Sequence, residues 1–158
     1  MDKRTRARRL PPADRHHQLL DAAIRAFAQR GISRTAHADV AKIADVSAAT
    51  VFSYFRTRAL LVQAVLEAVA RYYEDMADRF HRPERSPPRA LLDHAIAFAT
   101  SVESDPDHAR IVLEWSTAIR EESWPLFLRF QEGILKRWHV CPSIGPDSRD
   151  CIICAKVK

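Results

Sequence analysis

Between Thr35 and Leu61 the chain reads TAHADVAKIADVSAATVFSYFRTRALL, and no other stretch narrows its possible folds as far. The apolar spacing predicts two short helices at a tight turn, with a long helix directly after them. The first short helix, Ala38 to Ala44, puts Val40, Ala41 and either Ile43 or Ala44 on a packing side. Asp45-Val46-Ser47 breaks it, and Asp tolerates the left-handed backbone of a turn better than most residues. Ser47 suits the N-cap of the second helix, because its hydroxyl can accept a backbone N–H that a helix start leaves unpaired. That helix, Ala48 to Phe55, buries Val51 and Phe55 one turn apart and leaves Ser47, Ala48, Thr50, Ser53 and Tyr54 on the outside.

Small polar residues on an outer helix face allow the backbone close to a DNA groove. An enzyme's loop would gather acids, bases or a nucleophile. None gather here, so the reading is of a chain that is not an enzyme, with no catalytic residue, no cofactor and no metal. The charge distribution points the same way. The net charge is +5, but residues 1–58 hold 12 Lys/Arg against 5 Asp/Glu, while the remainder holds 13 against 15. A basic head on a slightly acidic body is the electrostatic footprint of a nucleic-acid binder, although a solvated charged face would also produce it.

The rest of the chain is read as helical throughout, with no strand signal, repeat or low-complexity tract. Met1 to Leu10 is a basic arm carrying Lys3, Arg4, Arg6, Arg8 and Arg9, ended by Pro11-Pro12. Such an arm suits phosphates or a minor groove, where arginine is favoured by the negative potential. A flexible solubilising tail is the plainer alternative. A first helix from Asp14 to Arg30 carries Leu19, Leu20, Ala23, Ile24 and Phe27, and Gly31 stops it. After the helix-turn-helix of His37 to Phe55, Thr57 caps a long helix to His81 built on Leu60, Leu61, Ala64, Val65, Ala68, Val69, Tyr72, Met76 and Phe80. Three further helices are expected. They cover Arg89 to Glu103, with Leu91, Leu92, Ala95, Ile96, Ala99 and Val102 inward; Asp107 to Ile119; and one from Glu121 or Ser123 to Trp138. No apolar run is long enough to span a bilayer and no signal peptide is visible, so a cytoplasmic protein with no membrane partner is expected.

The sequence SAATVFSYFRTRALL resembles the DNA-binding half of TetR-family regulators. With LEWSTAIREESWPLF downstream, the chain is similar to the LuxR/HapR/SmcR quorum-sensing master-regulator branch of that family over Leu10 to Arg137. The resemblance implies an all-α fold: an N-terminal three-helix helix-turn-helix domain on a TetR-type helical core, here lacking the last two helices. The implied organisation is a basic arm (1–12), a helix-turn-helix DNA-binding domain (13–58), an incomplete helical ligand-binding domain (59–138) and an atypical tail (139–158). The implied function is sequence-specific transcriptional regulation at double-stranded promoter DNA. The implied contacts are Arg6, Arg8 and Arg9 in the arm, and Arg34 and Thr35 before the helix-turn-helix. Ser47, Ala48, Thr50, Ser53 and Tyr54 on the recognition helix join them, with Arg56, Thr57 and Arg58 after it. Close relatives carry Asn where this chain has Ser53. Asn reads adenine with two hydrogen bonds and Ser cannot, so base preference there is open.

The same resemblance implies a pocket for a small hydrophobic ligand, with Trp115 and Phe127 matching lining residues and Met76, Phe80, Ile96 and Gln131 as further candidates. An aromatic stripe at helical spacing is otherwise ordinary core. In relatives two more helices supply most of a homodimer interface. Residues 139–158 show two prolines, all three cysteines and no helical period instead. A homodimer is therefore doubtful, a C-terminally defective regulator is the alternative, and the last predicted helix should expose apolar surface around Phe130, Ile134 and Trp138. Cys151 and Cys154, with Cys141 and His139 upstream, have weak metal-site spacing that lacks a second pair. A small metal-binding or redox protein is the remaining alternative.

Overall fold

The structure, a computed structural model, describes residues 11–117 and 123–138. Every regular element among them is a helix: α1 (Pro12–Arg30), α2 (His37–Ala44), α3 (Ala48–Tyr54), α4 (Arg58–Phe80), α5 (Pro87–Ser104), α6 (Pro106–Thr117) and α7 (Trp124–Trp138). Arg6, Arg8, Arg9, His139 and all three cysteines lie outside the described residues. None of the described helices is long and apolar enough to cross a membrane. The chain divides into two compact units. One comprises α1 to α3, the first half of α4 and α6; the other comprises the second half of α4, α5 and α7.

The first unit is built on the apolar stripes that the sequence marks. Leu19, Ala23, Ile24 and Phe27 of α1, Val40 and Ala44 of α2, Val51 and Phe55 around α3, and Leu61 and Val65 of α4 are all buried. Ala44, not Ile43, takes the inward position at the end of α2; Ile43 is exposed. On α4, Leu60 is exposed while Leu66 is fully buried, so the inward stripe is rotated from the expected one. α1 starts two residues earlier than expected, at Pro12, because proline at the first helical position loses no needed N–H. Ala109, Ile111, Val112 and Trp115 of α6 are also buried. The carboxylate of Glu114 accepts the backbone N–H of Ile32 at 2.8 Å, which fixes α6 to the loop after α1.

The second unit corrects two expectations. On α7, Phe127, Phe130 and Ile134 are buried and Trp138 is half-buried, so apolar surface is not exposed at the positions expected; Leu128 and Leu135 are exposed instead. The reason is that α7 lies along α4: Arg137 pairs with Asp78 at 2.7 Å and with Glu74 at 3.4 Å, and a Cβ on Gly133 would sit 3.1 Å from Glu74. Small Gly133 permits that approach.

On α5 the inward residues are Ala90, His94 and Ser101, whereas Leu91, Leu92, Ile96 and Val102 are exposed. The periodicity there is real, but the helix turns its smaller, more polar stripe inward. Leu92→Gln with Ile96→Gln should therefore change unfolding free energy by no more than about 0.5 kcal/mol, as exposed sites do. Ala90→Leu should cost roughly 1–3 kcal/mol by overpacking. Urea unfolding of the full chain compares them.

Candidate nucleic-acid interface

The helix-turn-helix is held by local bonds that leave one face of α3 outward. At the turn Asp45 takes the left-handed conformation, φ 52° and ψ 50°, as its side chain allows. Ser47 then caps α3, its hydroxyl oxygen accepting the Thr50 N–H at 3.2 Å, while the two hydroxyls of Ser47 and Thr50 lie 2.9 Å apart. Ser53 donates its hydroxyl proton to the Thr50 carbonyl at 2.7 Å. Its oxygen therefore faces solvent as an acceptor. Ser47, Phe52 and Ser53 are exposed, and Ala48, Thr50 and Tyr54 are half-buried.

The angle between α2 and α3 is set by His37. Its Nε2 lies 2.7 Å from the Phe55 carbonyl, in a buried site, and its ring stacks on Phe52 at 3.9 Å with 8° between the planes. His37 is thus part of the packing between α2 and α3. The consequence is Phe52: an aromatic side chain 48% exposed on α3, with its ring stacked on His37. Sequence reasoning passed it over, because at i+1 from Val51 it belonged neither to the buried pair nor to the polar face. His16 of α1 was also missed. Its ring lies 5.3 Å from Phe55 and 6.2 Å from Tyr54, at the end of the same face.

Two predicted contact residues hold internal bonds in the fold. Thr35 is fully buried, and its hydroxyl bonds to the carbonyls of Gly31 and Ala26 at 2.8 and 3.3 Å. Its side chain is thus removed from the candidate set, because the loop after α1 needs it as an internal cap. The Arg58 guanidinium donates to the carbonyls of Ile32, Ser33 and Thr35. It closes the same loop from the start of α4. Arg58→Ala should lower the stability of the DNA-free protein by roughly 1–2 kcal/mol, since several charge-assisted bonds are lost but the freed carbonyls regain water. A thermal melt without DNA reads this; a residue that only met phosphate would leave the melt unchanged.

The remaining cations stay available. Arg34 is exposed and anchored through Nε to the Arg30 carbonyl at 2.9 Å, and Arg56 is exposed between α3 and α4. Thr57 is exposed, and its hydroxyl oxygen caps α4 by accepting the Leu60 N–H at 3.2 Å. The interface so assembled has a polar helix face, one fixed aromatic ring and flanking arginines. It has no acid–base pair suited to catalysis, and no three metal-ligating side chains gather among the described residues.

The six predicted pocket residues are divided between the two units. Trp115 belongs to the first unit and is fully buried. In the second unit Met76 and Phe127 are buried and Phe80 is half-buried, its ring stacked on His94. Ile96 and Gln131 are exposed. On α7 the inward positions are Phe127, Phe130 and Ile134, which turns Gln131 outward.

Residues 19–65 match the family described as bacterial regulatory proteins, tetR family. The chain is 40% identical over 126 residues to the HTH-type transcriptional regulator LuxR of Vibrio harveyi, which covers 80% of this chain and 61% of LuxR. It is 38% identical over 60 residues to the HTH-type transcriptional regulator TtgR of Pseudomonas putida, covering 38% of this chain and 29% of TtgR. A TetR-like transcriptional regulator from Rhodococcus sp. RHA1 superposes with a TM-score of 0.72 at 21% identity, over 84% of this chain and 72% of that one. The chain thus spans under two thirds of the length of both sequence relatives.

Proposed function

We propose, from the premise that this chain belongs to the TetR family, that its first unit is a sequence-specific reader of double-stranded promoter DNA and that the protein is a transcriptional regulator of the quorum-sensing type. The observation that carries this reading is the outer face of α3, where Ser47, Thr50, Ser53 and Phe52 stand outward on a helix fixed at both ends. Its position within the matched region, residues 19–65, supports the family part; the 40% identity to LuxR supports the regulatory class.

In this reading α3 enters the major groove. Arg34, Arg56 and the arm's Arg6, Arg8 and Arg9 meet phosphates, and Tyr54 supports the end of the helix. Phosphate contacts position the protein and base contacts specify the sequence. Ser53 acts as an acceptor, because its proton is committed to the Thr50 carbonyl; it suits the exocyclic amine of cytosine or adenine. The Phe52 ring suits a thymine methyl. One chain engages one half-site.

Selection from randomised duplexes tests the proposal. A short enriched motif is expected, and Ser53→Asn should change which base is preferred at one position of it. No enriched motif would remove sequence-specific binding from the account.

A further inference from the structure

Where α4 ends, two imidazoles face each other. Nε2 of His81 lies 2.9 Å from Nδ1 of His94 on α5, with the rings edge-on at 5.0 Å. The indole of Trp138, in the last turn of α7, packs against both, 5.8 Å from His81 and 6.0 Å from His94. This small cluster joins the three helices of the second unit. We propose that the His81–His94 pair is an acid-sensitive latch, closed while at most one proton is added to it and opened when both rings are protonated, releasing Trp138 and the end of α7.

The chemistry follows from counting protons. Neutral, one ring donates its N–H to the bare nitrogen of the other. One added proton leaves a charge-assisted N–H to N bond. A second puts N–H against N–H and two positive charges at contact distance, and the bond cannot survive.

Among the described residues, no carboxylate bonds to either ring. On α4, Glu74 and Asp78 are committed to Arg137 of α7. On α5, Asp93 is committed to Arg85 of the connecting loop and to Arg89. On α7, Glu132 is paired with Lys136. Arg85 itself lies over the Phe80 ring at 5.8 Å, and that ring stacks on His94.

The sign is consistent with an acid trigger. Burial holds both imidazoles below the ordinary 6.5, and the charge of His81 pushes His94 lower still. The unfolded chain therefore takes protons more readily than the folded one. The contribution of the pair to stability is complete above pH 6.5 and is lost as the pH falls through the lowered values. Because the rings are coupled, the protons add in two steps that belong to the pair. Trp138 makes the contact easy to leave: its buried indole N–H has no acceptor among the described residues, and water would supply one.

The test uses the full chain labelled with 5-fluorotryptophan, with the Trp138 resonance assigned by Trp138→Phe. Fluorine spectra are recorded across an acid titration in light and heavy water, so that the solvent isotope shift reports exposure. The expected result is a Trp138 signal that becomes solvent-exposed with a midpoint below 6.5 while the fold persists by far-UV circular dichroism. In His94→Gln that response should be lost, because the amide can keep a bond to His81 but cannot charge. His81→Gln should behave the same way, and it decides the matter if His94→Gln fails to fold. A Trp138 signal that stays buried through the titration, or that opens identically in the folded glutamine variants, overturns the latch.

Discussion

Raising the salt from about 50 mM to about 200 mM should weaken DNA binding by this chain roughly 500-fold, if five arginines each neutralise one phosphate. The five are Arg6, Arg8 and Arg9 of the arm, Arg34 beside the loop after α1, and Arg56 between α3 and α4. Each released counterion contributes about 0.9 to the slope of log affinity against log salt, giving a slope of roughly −4.5. Arg58 is left out of the sum because its guanidinium is already bonded to three carbonyls. Replacing Arg6, Arg8 and Arg9 together with Ala should shrink the slope to roughly −1.8 and the fourfold salt effect to about 12-fold. Fluorescence anisotropy with a labelled duplex at several salt concentrations measures both. A slope that the triple replacement leaves unchanged would take the arm out of the interface, and a further loss of about 0.9 in slope on Arg58→Ala would reinstate that residue as a phosphate contact.

Gly31→Ala should be the most damaging small substitution in the first unit. The backbone there has φ 90° and ψ 157°, a region open to glycine and closed to other residues. The strain alone is worth about 1–3 kcal/mol. A Cβ would also stand 3.1 Å from Oε1 and 3.4 Å from Oε2 of Glu114, the carboxylate that accepts the Ile32 N–H. Glu114 can withdraw, but only by giving up a bond of the charged kind, worth roughly 1.5–3 kcal/mol. The expected total is about 3–5 kcal/mol, enough to unfold a marginal domain. A double-mutant cycle separates the two parts: in a Glu114→Ala background, Gly31→Ala should cost only the strain. Equal costs in both backgrounds would mean that Glu114 does not feel the added methyl group.

The helix-turn-helix was legible because its signals are local. Ser47 as a cap, Asp45 at the turn, and Val51 with Phe55 inward all depend on neighbours a few residues away. The features that sequence did not show depend on distant partners. Arg58 and Thr35 were expected at the DNA, and nothing near Arg58 in sequence announces that a loop more than twenty residues away accepts its guanidinium. Nothing near Ile32 in sequence announces that its N–H meets Glu114, 82 positions away. On α5 the large apolar residues and the small ones both have helical periodicity, and hydrophobicity favoured the wrong stripe. Phe52 was overlooked for a related reason: only the stack on His37 turns an exposed ring into an oriented one.

Amide hydrogen exchange on the full chain, with and without a duplex carrying the selected motif, tests the central claim most directly. The reading of α3 as the groove helix predicts slowed exchange across residues 48–54 and the loop of residues 55–57 on adding DNA, with α5 unchanged. Protection confined to α5 or α7, with α3 exchanging at its free rate, would contradict it.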